Sequence, residues 1–171
     1  MNVAAGIALL LVLGACGAPE HPEPTTGSVV RHSQPLSFVY RLVDGNGVVS
    51  ARALRGQPAF ISFLASYDLA SQAQARFLSG VFQRHAGSMR AAAIVLERGE
   101  NQPLVLAFRD ALKLTYPVAM GDDVLIAGGG PFGDMHAVPS TVLLDREGRI
   151  VWKHIGLARE EDLEQALAGA S

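Results

Sequence analysis

The sequence predicts an α/β fold: a mixed central sheet with helices on both faces, arranged in three layers and preceded by a β-hairpin. Three observations carry this reading. Residues 59–64 (AFISFL) and 91–96 (AAAIVL) are nearly continuous apolar runs of strand length, as in strands covered on both faces. Residues 69–85, 104–114 and 159–168 change to a helical period. Asp44-Gly45-Asn46-Gly47 and Arg146-Glu147-Gly148-Arg149 are hairpin turn signals, and the second requires an antiparallel pair inside the sheet.

The elements follow in order. Residues 38–43 alternate polar and apolar side chains and meet the first turn, and residues 48–54 supply the returning strand. Arg55-Gly56-Gln57-Pro58 breaks the chain before the first buried strand. In the helix over 69–85, Ala73, Phe77, Leu78, Val81 and Phe82 mark the apolar side, with Gln72, Gln74, Arg76 and Arg84 among the polar positions. Leu104, Phe108, Ala111 and Leu112 mark the apolar side of the second helix. Tyr116-Pro117-Val118 reads as a short strand or turn, and Asp122-Asp123 as a surface turn. Residues 141–145 and 150–155 form the second hairpin. The last helix carries Glu160, Glu161 and Asp162 in its first turn, where the helix dipole favours acidic groups.

Composition narrows the function classes. Lys and Arg number 14 against 16 Asp and Glu, a net charge of −2, which lacks the basic excess that neutralises nucleic-acid phosphates. Aromatic residues make up 6%, with one Trp, too few for a base-stacking platform. A single cysteine excludes an intrachain disulfide and a four-cysteine zinc site. No Ser–His–Asp order with a nucleophile elbow appears, so a hydrolase is not supported.

That cysteine follows an apolar segment. Residues 4–15 (AAGIALLLVLGA) fall short of the ~20 residues a membrane-spanning helix takes and match the apolar core of a secretory signal peptide. Leu13-Gly14-Ala15-Cys16 resembles the lipobox of bacterial lipoproteins. The resemblance implies cleavage after residue 15, a diacylglyceryl group on Cys16, and a domain held outside the cytoplasm in the cell envelope. Gly17 stands where an inner-membrane retention signal has Asp, which favours the outer membrane. No Lys or Arg precedes the apolar run, a departure from the usual signal, and the competing reading is a buried N-terminal helix with a buried free thiol. Residues 16–35, rich in Pro, Gly, Thr and acidic side chains, then read as a tether reaching up to about 60 Å, and His21 and His32 as solvated. Residues 36–171 are the domain.

Phe60-Ile61-Ser62-Phe63-Leu64-Ala65-Ser66-Tyr67 resembles the strand that enters the active site of thioredoxin-like proteins, in their TlpA-like and redoxin (peroxiredoxin-related) branch. Residues 38–56 are similar to that family's opening hairpin. Val138-Pro139-Ser140-Thr141 resembles its cis-proline segment, and residues 144–150 the Ile-Asp-x-x-Gly-x-Ile that follows. The four stand in the family's order and span nearly the whole domain. The resemblance implies a thioredoxin-like fold and, as one reading, a thiol-disulfide oxidoreductase or antioxidant activity.

The departure is at the chemistry. Asp68 and Ser71 stand where the family has its two cysteines. Thiol–disulfide exchange needs a thiolate and a resolving thiol, and a one-cysteine peroxidase needs a thiolate to oxidise, so neither residue supports the reaction. Asp68 is also among the best helix N-caps, contributing about 0.5–2 kcal/mol over Ala. It thus has a structural reading as a cap, and a functional one as the group that meets a cationic or hydrogen-bonding partner. Pro139 likewise either shapes a turn or presents backbone groups to an extended peptide. Tyr67, Asp68, Ser71, Val138 and Pro139 are therefore the candidate binding groove.

Gly128-Gly129-Gly130 reads as a mobile loop rather than a phosphate cradle, since no Lys-Ser/Thr opens a helix after it. If the family fold holds, the loop reaches the same face as Tyr67 and Asp68. Met135 and His136 are suitable copper ligand types, but thioredoxin-like copper chaperones use a cysteine pair this chain lacks. His85 and His154 read as structural or solvated. The expected function is a membrane-anchored, non-catalytic module binding an envelope protein or peptide, with no cofactor and no nucleic acid. An oxidoreductase and a metal-handling protein are the alternatives.

Overall fold

The computed structural model describes residues 27–29, 33–133, 135 and 137–170. The signal segment, Cys16, His21, His32 and His136 lie outside them. Six strands form the main sheet: β1 (Ser28–Val29), β4 (Ala59–Leu64), β5 (Arg90–Val95), β6 (Val118–Met120), β7 (Ser140–Leu144) and β8 (Ile150–Ile155), ordered β1-β8-β7-β4-β5-β6. A separate hairpin joins β2 (Val39–Arg41) to β3 (Val48–Ser50). The helices are α1 (Ala51–Leu54), α2 (Leu69–Arg84), α3 (Gln102–Ala111), α4 (Asp123–Ile126) and α5 (Glu160–Gly169).

β4, β5 and β6 run parallel, and β7 runs antiparallel to β4 and β8, so the sheet is mixed as the second turn signal requires. All six residues of β4 are buried. Phe60 and Leu64 point into one cluster with Leu78 of α2, Phe108 of α3, Leu163 of α5 and Trp152. Ala59, Ile61 and Phe63 point into another with Phe38, Tyr40, Leu54 of α1, Leu125 of α4 and Phe132. Helices cover both faces, but unequally. The three long ones share one face, while the hairpin, two one-turn helices and the Phe132 loop cover the other.

Several boundaries differ from the sequence expectation, each for a local reason. The second arm of the first hairpin stops at Ser50, whose hydroxyl accepts the Ala53 amide at 3.2 Å and starts α1, which buries Ala51 and Leu54. Asp122 does not merely turn the chain but caps α4, accepting from Leu125 N at 2.8 Å. In α3 Val105 and Phe108 are buried and Leu112 packs against the core, while Leu104 is 62% exposed, so Val105 takes the place expected of Leu104. In α2 the buried stripe is Ser71, Gln74, Ala75, Leu78 and Val81; Gln74, read as a polar-face residue, faces the core. Within the segment read as a tether, Ser28–Val29 adds an edge strand to β8. Leu36, at the start of the domain, is buried.

Candidate functional site

The candidate site is built where β4 ends and α2 begins, at the carboxyl ends of the parallel strands, the usual ligand-binding end of open α/β sheets. Asp68 is the N-cap of α2, its Oδ2 accepting from Ser71 N at 2.7 Å. Ser71 is fully buried, and its Oγ accepts from Ala65 N at 3.1 Å. The two side chains close the turn from strand to helix from both sides. The turn leaves Tyr67 and Leu69 strongly exposed, at 76% and 79%.

A carboxylate that the sequence reading missed holds the turn from the neighbouring strand. Glu97, buried just past β5, accepts from Ser66 N at 2.6 Å through Oε1 and from Asn101 Nδ2 at 3.0 Å through Oε2. Its sequence signal is an ionisable residue set directly against the carboxyl end of a continuous apolar strand. Gln72 Nε2 donates to Ser66 O at 3.4 Å, completing the support.

The cis-proline segment meets this turn through the sheet register. Phe63 pairs with Ser140, and Ser140 with Ile155. The Val138–Pro139 peptide is cis, and the Pro139 carbonyl accepts from Gly156 N at 2.9 Å. The structure thus brings Tyr67, Asp68, Ser71, Val138 and Pro139 to one end of the sheet. Gln74, the other residue missed, accepts from Ala158 N at 2.8 Å through Oε1 and so fixes the segment after β8, leaving Leu157 partly exposed. The i, i+3, i+7 spacing of residues 71, 74, 78 and 81 was the signal that could have placed it in the core.

His154, on β8, is buried and stacked on Trp152 with centroids 5.6 Å apart, and its buried Nδ1 has no hydrogen-bond partner among the described residues. Burial pushes its pKa below the ordinary histidine value, against a smaller opposing pull from Asp162. His85 is tied to Glu164 at 2.7 Å on the surface between α2 and α5.

The loop that follows the glycine run is anchored by Phe132. Phe132 is fully buried, its ring centroid 4.9 Å from both Phe38 and Phe63. Gly128 and Gly130 take positive φ of 84° and 96°, and a Cβ on Gly129 would press on Val124. The loop packs on the face of the sheet opposite α2. Met135 is buried in the same cluster, away from the site, and no group of three or more His, Cys, Asp or Glu suited to a metal occurs among the described residues. A cleft of about 460 Å³ between β1, β8 and α5, lined by Val29, Trp152 and Ala166, includes none of the site residues.

No family model matches the chain. Among curated proteins it is 23% identical over 128 residues to thiol-disulfide oxidoreductase ResA of Bacillus cereus, covering 75% of this chain and 71% of the relative. Among solved structures it is similar to a secreted thiol-disulfide isomerase from Corynebacterium glutamicum, with a TM-score of 0.73 at 13% identity over 88% of this chain and 94% of that one. It also matches a thiol:disulfide interchange protein of the thioredoxin family from Chlorobium tepidum TLS, with a TM-score of 0.69 at 18% identity over 84% and 99% of the two chains. StoA from Bacillus subtilis gives a TM-score of 0.62 at 20% identity over 79% and 98%. The fold is thioredoxin-like. No helix among the described residues is long and apolar enough to cross a membrane.

Proposed function

We propose that this chain is a membrane-anchored, non-catalytic thioredoxin-like module that binds an extended protein or peptide segment at the Tyr67–Asp68–Pro139 end of its sheet. One observation carries the reading. Asp68 and Ser71, at the positions where similarity to the redox family puts its cysteines, each have their side-chain oxygen bonded to a backbone amide. The sequence holds one cysteine, Cys16, outside the domain. Disulfide exchange needs a thiolate to attack sulfur and a second thiol to release the product. A carboxylate and a hydroxyl do neither. What persists is a surface: exposed Tyr67 and Leu69 beside an acidic cap and a cis-proline segment, suited to strand-like docking of a peptide.

The lipobox resemblance supports Cys16 as the anchor and the bacterial envelope, by preference the outer membrane, as the location. The test has two arms. Purified domain assayed for reduction of a disulfide substrate and for peroxide turnover should show no rate above buffer; turnover in either assay overturns the non-catalytic reading. A photo-crosslinking amino acid at position 67 in intact cells should capture a partner, with capture lost on competition by free domain.

The names of the relatives support a second reading, a thiol-disulfide oxidoreductase. It would require a thiol supplied by a partner, and Asp68→Ala should then abolish the rate.

A further inference from the structure

Edge strand β1 fixes the direction in which the chain enters the domain. It pairs antiparallel with β8, Ser28 opposite Lys153 and Val29 opposite Trp152. Each step back along the chain from Ser28 is therefore a step towards Ile155. Ile155 pairs with Ser140, and Ser140 with Phe63, so that direction leads to the end of the sheet carrying Tyr67, Asp68 and Pro139. The turn between β7 and β8, at Glu147 and Gly148, marks the opposite end. The seat of β1 is tight. Gly27 lies so close to the Trp152 indole that a Cβ there would overlap the ring, which only glycine avoids.

We propose that the site is turned towards the membrane, and that its partner is a membrane-proximal, extended segment of an integral membrane protein. The proposal rests on the anchored binding-module reading above. With β1 docked, the link from Cys16 ends at Gly27. Its eleven residue steps reach at most about 40 Å when fully extended. That reach holds Gly27 within about 40 Å of the bilayer, and Gly27 lies towards the site's end of β8, which favours the site facing the membrane.

The chemistry of the surface selects the occupant. Tyr67, Leu69 and Leu157 offer apolar contacts, while Asp68, Glu100, Asp122 and Asp123 put carboxylates at the same end, with Arg98 and Arg159 among them. Anionic headgroups are repelled there, so lipid is not the ligand. A peptide with apolar side chains and a Lys or Arg meets both demands.

The orientation can be read without knowing the partner. The full mature chain is placed on phosphatidylcholine vesicles, with a fluorescent amino acid at position 67 or 147 and an energy acceptor in the lipid. Where cells do not acylate Cys16, its thiol is coupled to a maleimide lipid, which gives the same attachment point. The two ends of β8 are ~20 Å apart, so transfer from position 67 should exceed that from 147. Gly27→Leu, checked for an unchanged far-ultraviolet spectrum, should dislodge β1 and bring the two signals together. Equal transfer in the parent chain, or more from position 147, overturns the orientation. In cells, crosslinks from position 67 should be to an integral membrane protein and should fall when Cys16→Ser releases the domain. Capture of a soluble protein instead overturns the membrane-proximal partner while leaving the binding-module reading intact; no capture at all removes that reading itself.

Discussion

Replacing Asp68 separates its two roles, because Asn and Ala remove different parts of it. The carboxylate accepts from Ser71 N at 2.7 Å and carries a negative charge at the first turn of α2. Asp68→Ala removes both, and a lost cap of this kind costs about 0.5–2 kcal/mol. For a domain of this size, about 1 kcal/mol lowers the melting temperature by roughly 3–5 °C. Asp68→Asn keeps an acceptor and gives up the charge, so it should cost only the dipole contribution, about 0.3–1 kcal/mol. Calorimetry on the three proteins should rank them wild type, Asn, Ala. Partner capture from position 67 should fall in both variants if the carboxylate meets a cation. Ala and Asn melting together with the wild type would refute the cap; Asn retaining full capture would refute the charge recognition.

Three further outcomes follow from the same network. Ser71→Ala leaves the amide of buried Ala65 without its partner and should destabilise by about 1–3 kcal/mol in denaturant titration. Glu97→Ala strips the acceptor from Ser66 N, so hydrogen exchange at that amide should accelerate while exchange in β7 stays slow. His154 has a folded pKa lowered by burial, so the unfolded chain binds its proton more readily. Its contribution is whole above the unfolded value, ~6.5, and is lost as pH falls through that value towards the folded pKa. Denaturant midpoints taken at neutral and mildly acidic pH should show this slope, and His154→Phe should flatten it.

How much of this was legible depended on what each element rests upon. Residues 59–64 were readable as a buried strand because both faces are covered, which leaves a continuous apolar run and no ambiguity of side. The turns at residues 44–47 and 146–149 were readable because glycine chemistry is local. The arm at 48–54 misled because apolar alternation continued past Ser50, while a hydroxyl cap redirected the backbone. Gln74 misled, and Glu97 was passed over, for a different reason. Polarity argued for the surface in the case of Gln74 and drew no reading of Glu97, yet each is buried to serve a backbone amide brought near only through the fold, Ala158 and Ser66. The glycine run looked mobile because the anchor, Phe132, lies beyond it and docks on residues far away in sequence.

Those burials share one consequence. Ser71, Gln74 and Glu97 each hold a main-chain amide at the same end of the sheet, and Asp68 holds a fourth on the surface. A reactive centre needs an anion that is partly unsatisfied and able to reach a substrate. Here the polar atoms of Ser71 and Glu97 are turned inward to fix Ala65 and Ser66, and only Tyr67, Leu69 and the outer side of Asp68 face solvent. Fixing a backbone beneath exposed side chains lowers the ordering cost of any binding there. The hydrogen bonds that fix the Ala65, Ser66 and Ser71 amides are therefore the ones that would preorganise this turn for the docking role proposed for it.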